Sequence, residues 1–214
     1  MAKFISPEQA SSMIKDGMTI MYGGFLACGS AHKIIDAIAK SGVKNLTVIG
    51  NDTAFPDKGI GILITNKQVK KVITSHIGTN PNTIDQMNNK EIEVELCPQG
   101  SLIERIRAAG AGLGGILTPT GLGTIVAEGK EVIKVDGKEF LLEKPLKADL
   151  AIVFASKGDK SGNLCYRGTT QNFNPIIATA ADVVIAEVEE LVETGDIDPE
   201  NVRTQGIFVN YIVT

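Results

Sequence analysis

Apolar residues along this chain fall into short uninterrupted runs, which are separated by stretches with a helical spacing of apolar positions. Short apolar runs bounded by glycine or polar turn residues indicate strands that are buried on both faces. Strands are predicted at residues 18–22, 45–50, 69–77, 148–155, 183–188 and 206–213. A further strand near 92–96 alternates apolar residues with glutamates, so one of its faces is expected to meet solvent.

Helices are predicted between these strands. The sequence Ser6-Pro7-Glu8-Gln9 is a capping box and begins the first helix, which Gly17 is expected to end. Further helices are predicted at 30–42, 80–89 and 101–110. In the last of these, apolar residues form one face, and the charged residues Glu104, Arg105 and Arg107 are expected to be solvated.

Strands that alternate with short helices predict an α/β fold with a mostly parallel sheet and helices on both faces. A small β-hairpin insertion is predicted at 131–142, because Asp136-Gly137 is a type I′ turn signal between two β-prone runs. With 214 residues and neither repeats nor low-complexity linkers, the chain is expected to form a single domain over residues 1–214.

The first internal strand leads directly into a glycine-rich turn and then into a helix. This turn has the sequence Gly23, Gly24, Phe25, Leu26, Ala27, Cys28, Gly29. Glycines allow the backbone to approach a ligand closely, and a helix start favours negative charge. The same spacing also fits a tight strand-to-helix connection with no ligand.

Composition excludes several classes of protein. The net charge of −4 gives no basic surface for nucleic acid, and the apolar runs are too short to span a membrane. Three widely spaced cysteines favour neither a disulfide framework nor a metal site, and no metal is expected. We therefore expect a cytoplasmic protein that binds neither nucleic acid nor membrane.

Two carboxamides follow strand ends and could take part in chemistry. Gln99 lies between Pro98 and Gly100, and Asn51 follows the strand at 45–50. A carboxamide donates and accepts hydrogen bonds at every pH, which suits it to polarise a carbonyl or hold a carboxylate. A turn glutamine that faces water is the alternative interpretation of Gln99.

Other motifs do not favour catalysis. The glycines from Gly110 to Gly115 match a dinucleotide-binding pattern but follow a helix instead of a strand. The two histidines have no cysteine or acidic residue at the spacing of metal ligands. Cys28 has no base nearby in sequence that could activate its thiol, so it is expected to be a packed residue. The acidic run from Glu187 to Glu193 is expected to be solvated.

Several segments resemble family I coenzyme A transferases, in their small or α subunit. They are GGFLACGSAHKIIDAI at 23–38, NDTAFPDKGIG at 51–61, KVITSHIGTNP at 71–81, CPQGSLIERIRAAGAGLGGILTPTGLGT at 97–124, LLEKPLKADLAIV at 141–153, NFNP at 172–175 and QGIFVNYIV at 205–213. Among these enzymes the sequence looks most similar to acetate, acetoacetate and butyrate CoA-transferases. It departs from the family at Ala31 and Gln205, where proline is usual.

The resemblance implies a NagB/RpiA-like fold, a CoA-contacting turn at 23–29, and Gln99 and Asn51 in the active site. It also implies transfer of CoA between a short-chain acyl-CoA and a carboxylate through a glutamyl-CoA thioester, with no tightly bound cofactor. The family's glutamate lies in a Glu-Asn-Gly motif of a second subunit. Here only Glu200-Asn201 is similar, and Val202 follows it.

The expected partner is therefore a β subunit that carries the catalytic glutamate, in a hetero-oligomer such as α2β2. Two other classes of function remain open. One is a sugar-phosphate isomerase or regulator on a related fold, which would bind phosphate at 23–30. The other is a non-catalytic scaffold that only shapes a partner.

Overall fold

A computed structural model describes residues 2–214 of the chain. Its helices and strands follow in chain order as β1 (Lys3–Phe4), α1 (Pro7–Ser12), β2 (Thr19–Tyr22), α2 (His32–Ser41), β3 (Leu46–Ile49), α3 (Gly61–Thr65), β4 (Val69–Thr74), α4 (Pro81–Asn88), β5 (Glu93–Leu96), α5 (Gln99–Gly110), β6 (Ile116–Thr118), β7 (Val132–Val135), β8 (Lys138–Glu143), β9 (Ala148–Asp159), β10 (Leu164–Cys165), α6 (Asn174–Ile177), β11 (Ala181–Val192) and β12 (Tyr211–Val213).

The main sheet has the strand order β1-β12-β11-β9-β2-β3-β4-β5, and every pair along this path is parallel. β10 pairs antiparallel with β9 outside the path. The chain moves outward in one direction from β2 through β5 and then resumes on the other side of β2 with β9. The strand order therefore reverses between β2 and β9, where open α/β sheets usually bind their ligands.

Helices cover both faces of this sheet, as the sequence predicted. Ile34, Ile38 and Leu63 of α2 and α3 pack into one core cluster. Leu102 and Ile177 of α5 and α6 pack into the other. This arrangement confirms the predicted α/β class.

The predicted hairpin is present but is part of a larger unit. Asp136 and Gly137 have φ angles of 49° and 79°, as a type I′ turn requires. The sequence interpretation missed β6, which pairs with β8 and makes a separate three-stranded sheet of order β6-β8-β7. Three residues are too few for a periodic pattern to stand out, so the pairing depends on the fold.

Other element boundaries differ from the predictions in ways that local contacts explain. The capping box of Ser6 and Gln9 is present, but α1 ends at Ser12, well before Gly17. At the two positions where the family usually has proline, Ala31 and Gln205 have φ angles of −79° and −74°. Both angles are close to the value that proline imposes, so the backbone of these turns does not depend on proline.

Arg105 corrects the prediction of a uniformly solvated face on α5. The residue is only 8% exposed, and its guanidinium binds Glu95 at 2.9 Å and lies 3.7 Å from Glu143. Because Glu143 is on β8, this buried ion cluster attaches the three-stranded sheet to α5. Charge alone predicted solvation, but charged residues can be buried when they are paired.

Candidate active site

The polar residues that the sequence singled out meet at one edge of the main sheet. β2, β3, β4 and β5 are parallel, so their carboxyl ends share this edge. A cleft of about 510 Å³ opens there and is lined by Phe25, Asn51 and Gln99, together with other residues of α5 as far as Arg107 and the segment 169–176. The chain thus brings together one residue of the glycine turn and both carboxamides, which are far apart in sequence.

The two carboxamides are in direct contact. Nε2 of Gln99 donates to Oδ1 of Asn51 at 2.6 Å. The hydroxyl of Ser75 lies 2.6 Å from the backbone oxygen of Asn51, its nearer acceptor, and 3.2 Å from Oδ1. Asn51 is 2% exposed, whereas Gln99 is exposed at the start of α5. With its oxygen occupied in this way, Asn51 has Nδ2 left to donate, and Gln99 retains the second hydrogen of Nε2. Two neutral donors are therefore available at the cleft.

The glycine turn is largely hydrogen bonded within the chain. Phe25 and Cys28 each donate their amide to the other's carbonyl oxygen. The amide of Gly23 donates to the carbonyl oxygen of Ile152, that of Gly24 to Oδ1 of Asn172, and that of Leu26 to Oδ2 of Asp52. Only the amides of Ala27 and Gly29 have no acceptor among residues 2–214. A backbone contact to a ligand from this turn would therefore have to use those two amides, while the Phe25 side chain faces the cleft.

Tight internal packing accounts for two of the glycines. A Cβ at Gly23 would lie 1.7 Å from Oδ1 of Asn174, and one at Gly24 would lie 2.1 Å from Oγ of Ser30. Gly24 also has a φ angle of +131°, which other residues rarely adopt. These glycines are required by the fold itself, independently of any ligand.

Asn172 and Asn174 hold the turn in place, and sequence reasoning assigned neither of them a role. Oδ1 of Asn172 accepts the amide of Gly24 at 2.9 Å, and its Nδ2 donates to Cys28 O at 3.1 Å. The buried Asn174 donates to Gly29 O at 2.9 Å. In the sequence, the only indication of these contacts was the pair of asparagines in NFNP. Asn-Pro is also typical of a helix start, and this local interpretation gave no indication of hydrogen bonds to the distant turn.

Asp52 supports the same turn from the neighbouring strand end. This residue is 2% exposed, and its carboxylate accepts the amides of Leu26 at 2.9 Å and Ala54 at 2.7 Å. Leu26 and Ala54 both have positive φ angles, of 49° and 52°. Burial raises the pKa of Asp52, while the hydrogen bonds from the two amides and the nearby His76 lower it by less. The carboxylate holds two left-handed segments that few residues would adopt unaided.

The start of α2 already carries a negative group. α2 has no side-chain cap of its own, and the carboxylate of Glu187 on β11 accepts the amide of Ile34 at 3.1 Å. Burial raises the pKa of Glu187, which is 5% exposed. This corrects the prediction that the whole acidic run is solvated. A chain carboxylate thus occupies the position where a helix start would otherwise attract a phosphate.

Cys28 and Glu200 are the remaining candidate residues from the sequence. Cys28 is exposed, contrary to the packed position expected, and its sulfur lies 3.3 Å from Oγ1 of Thr169. Glu200 is exposed in a 3₁₀ turn and does not line the cleft. Among residues 2–214, the side chains that line the cleft include no aspartate, glutamate, cysteine or histidine. The cleft of this chain thus offers hydrogen-bond donors without a nucleophile.

In the part of the chain that the structure describes, no three His, Cys, Asp or Glu residues are grouped so that they could hold a metal ion. None of the helices within residues 2–214 combines the length and the apolar character needed to cross a membrane.

Two curated alpha subunits are similar to this chain over nearly its whole length. The chain is 54% identical over 212 residues to the acetoacetyl-CoA:acetate/butyrate CoA transferase alpha subunit of Clostridium acetobutylicum, covering 99% of this chain and 97% of that one. It is 52% identical over 211 residues to the acetate CoA-transferase subunit alpha of Escherichia coli K12, covering 99% and 96% of the two chains.

Solved structures share the fold at lower identity. An acyl-CoA transferase from Escherichia coli O157:H7, determined as a thioester complex with CoA, matches with a TM-score of 0.87 at 24% identity. All of this chain is covered, but only 47% of that one, so this chain spans about half its length. Glutaconate coenzyme A-transferase from Acidaminococcus fermentans matches with a TM-score of 0.86 at 21% identity, over 99% of this chain and 75% of that one.

The match to a family model covers almost the whole sequence. The model of the coenzyme A transferase family matches residues 4–214. This match and the identity to the two alpha subunits confirm the resemblance that the sequence motifs indicated. The chain therefore belongs to the coenzyme A transferase family.

Proposed function

We propose that this chain is the α subunit of a two-subunit enzyme that moves CoA between a short-chain acyl-CoA and acetate, acetoacetate or butyrate. The observation that carries the proposal is the Asn51–Gln99 contact at 2.6 Å, on a cleft to which this chain brings donors but no nucleophile. The relatives with these substrates in their names are themselves alpha subunits. We propose a β subunit as the partner and α2β2 as the assembly.

The chemistry is a ping-pong exchange in which the partner's glutamate is the nucleophile. Its carboxylate attacks the thioester carbonyl, and the C–S bond then breaks, so that CoA leaves as a thiolate and an acyl-glutamyl anhydride forms. The thiolate then attacks the glutamyl carbonyl, which releases the free carboxylate and leaves a glutamyl-CoA thioester. A second carboxylate reverses these steps, so the exchange divides one hard transfer into easier ones.

Asn51 and Gln99 would act on the negative oxygen that forms when the carbonyl is attacked. Their free amide hydrogens can donate to this oxygen, and neither residue needs to change its protonation state. The turn at 23–29 would contact CoA through Phe25 and the two amides without an internal acceptor. No tightly bound cofactor takes part in this scheme. We place the enzyme in the cytoplasm, where its three free thiols would stay reduced.

The sugar-phosphate alternative requires an anion site at the turn and the start of α2. That position is held by Glu187, whose carboxylate would repel a phosphate. The geometry therefore favours CoA transfer over the sugar-phosphate function. The scaffold alternative differs in its dependence on the carboxamides, since a protein that only shapes a partner would not need Asn51 or Gln99.

The test is to purify this chain alone and together with its partner and to measure acetyl-CoA:butyrate CoA transfer. We expect transfer only with the partner present. Borohydride reduction of the thioester intermediate should modify the partner alone. Substantial transfer by this chain alone, or modification of this chain, would show that the nucleophile lies here. Absence of transfer by the complete complex would reject the proposed function.

A further inference from the structure

One wall of the cleft is formed by a single line of residues on α5. Gln99, Ile103 and Arg107 all line the cleft, and they are spaced four residues apart along the helix. Residues at this spacing lie on the same face of a helix. The wall therefore passes from a carboxamide through an apolar residue to a cation.

Arg107 is the charged residue of this wall. Among residues 2–214, no other Asp, Glu, Lys, Arg or His side chain lines the cleft. Its Nε donates to Oε2 of Glu104 at 2.9 Å, and both side chains are about half exposed. The Nη1 and Nη2 nitrogens have no hydrogen-bond partner within the described residues. This leaves the forked end of the guanidinium open, which is the edge that binds phosphate or carboxylate through two parallel hydrogen bonds.

Spacing along α5 limits which anion Arg107 can reach. Arg107 is the eighth residue after Gln99, which corresponds to roughly 12 Å along a helix axis. A carboxylate of two to four carbons bound at Asn51 and Gln99 is too short to span this distance. The pantetheine arm of CoA is about as long as four to five extended residues, or roughly 15 Å, and it ends in a phosphate.

The side chains between the two ends suit such an arm. Ile103 on α5 and Phe173, Pro175 and Ile176 on the opposite segment make this part of the cleft apolar. The methylene and methyl groups of the pantetheine arm lose water contact favourably against such a surface, while its amides and hydroxyl can keep contact with water because the cleft is open. A ligand with a reactive carbonyl at one end, an arm that carries aliphatic groups in the middle and an anion at the other end matches the order of groups along the wall.

We propose that Arg107 binds the phosphate at the end of the pantetheine arm when the thioester carbonyl lies at Asn51 and Gln99. The proposal rests on the function proposed above and assigns one binding residue within that site. The guanidinium contributes to acyl-CoA affinity through its Nη edge and does not take part in the bond-breaking steps.

The test compares two thioesters in the complex of this chain with its partner. Acetyl-CoA carries the phosphates, and acetyl-pantetheine lacks them. The variant Arg107→Gln should raise the KM for acetyl-CoA by about 10- to 100-fold, as expected for the loss of a charge-assisted contact. The KM for acetyl-pantetheine and the KM for butyrate should stay within about twofold of wild type. Arg107→Lys should retain part of the acetyl-CoA affinity, because it keeps a point charge.

Arg203→Gln is the matched control, since Arg203 is exposed and does not line the cleft. Equal losses with both thioesters would assign Arg107 a structural role and overturn the proposal. A rise confined to the KM for butyrate would also overturn it, because Arg107 would then bind the acid. If the wild-type complex shows no transfer, the proposed function fails, and calorimetric titration with CoA and with pantetheine still tests Arg107. Equal CoA affinity of wild type and variant would then reject the proposal.

Discussion

In the proposed mechanism, the Asn51–Gln99 pair would stabilise a developing negative charge without carrying any charge itself. A carboxamide is neutral at every pH, so its donors do not depend on a proton that could be gained or lost. Ser75 fixes the backbone at Asn51, because its hydroxyl donates to the backbone oxygen of Asn51 at 2.6 Å and lies 3.2 Å from the side-chain oxygen. The amide hydrogens are thus oriented before a substrate arrives, which is the condition under which oxyanion donors are most effective.

Replacing Gln99 tests this role directly. Gln99→Ala should lower kcat by about 10²- to 10³-fold, because one oxyanion donor is lost. Gln99→Glu should be worse, since it places a negative charge beside an anionic substrate. The measurement is steady-state CoA transfer by the complex with the partner. Gln171→Ala is the control, because Gln171 also lines the cleft but does not contact Asn51. A Gln99→Ala enzyme that transfers CoA at the wild-type rate would contradict the role.

Sequence reasoning could find Gln99 and Asn51 because their position after predicted strands is a local property. It could not find Asn172, Asn174 or Asp52 in the same way. Each of these binds backbone groups of the turn or of the next segment, and for the two asparagines those groups are more than 140 residues away in sequence. Nothing in the local pattern of an Asn or an Asp reveals a partner that only the fold brings close.

At the level of elements, α2 depends on a cap from another part of the chain. Ala31 supplies no side-chain acceptor at its start, and Glu187 of β11 takes that place. The acidic pattern around Glu187 resembles a solvated surface, so no local feature distinguishes this residue from its neighbours. Glu187 lies within residues 184–188, a stretch of β11 that is buried on both faces of the sheet, while Glu189 and Glu190 lie beyond this stretch and are exposed.

The raised pKa of Glu187 has a measurable effect on stability. The folded protein binds this proton more tightly than the unfolded chain, whose glutamate has a pKa of about 4.3. The free energy of unfolding therefore falls as pH rises from that value through the raised pKa. Lys33 and Asp36 of α2 are the charged groups that act on this carboxylate, with Lys33 lowering and Asp36 raising its pKa.

Glu187→Gln should remove this contribution while keeping one acceptor oxygen for the amide of Ile34. As pH rises from about 4.3 through the raised pKa of Glu187, the free energy of unfolding should decline less steeply in the variant than in wild type. Urea unfolding at a series of pH values measures both slopes. Glu189→Gln, on the same strand but exposed, should reproduce the wild-type slope. Identical slopes for wild type and Glu187→Gln would show that the carboxylate does not titrate in this way.

For the whole molecule, the attachment of the small sheet to the main body depends on a buried ion cluster. Glu143 is 1% exposed and binds Lys130 at 2.6 Å, while its second oxygen lies 3.7 Å from Arg105. Arg105 also donates to the carbonyl oxygen of Lys144 at 2.9 Å. These contacts join β8 to α5, the helix that carries Gln99.

Glu143→Gln should lower the free energy of unfolding by about 3 kcal/mol, because it removes the negative charge that compensates two largely buried cations. Glu139→Gln changes an exposed residue of the same strand and should be nearly neutral. Chemical denaturation of the three proteins gives the comparison. A Glu143→Gln protein as stable as the control would indicate that the small sheet is held by its apolar contacts alone.

The class of the fold followed from sequence because buried parallel strands leave continuous apolar runs. The order of the strands and the third strand of the small sheet did not, since both depend on pairings between distant segments. Arg105 illustrates the same limit at a single position, because a charged residue on a helix looks solvated until its buried partners are known. Topology and ion pairing are properties of the assembled chain.

If the turn at 23–29 contacts CoA as proposed, the hydrogen bonds within it would also affect how fast acyl-CoA is captured. Five of its seven amides are bonded within the chain, and two asparagines and an aspartate hold its backbone. An arriving molecule therefore does not have to wait for a loop to become ordered. Capture should be governed by diffusion and by the fraction of collisions with the correct orientation, the regime in which association rate constants are commonly about 10⁵–10⁷ M⁻¹s⁻¹ or above. Differences in affinity between related thioesters would then arise mainly in how long each one stays bound.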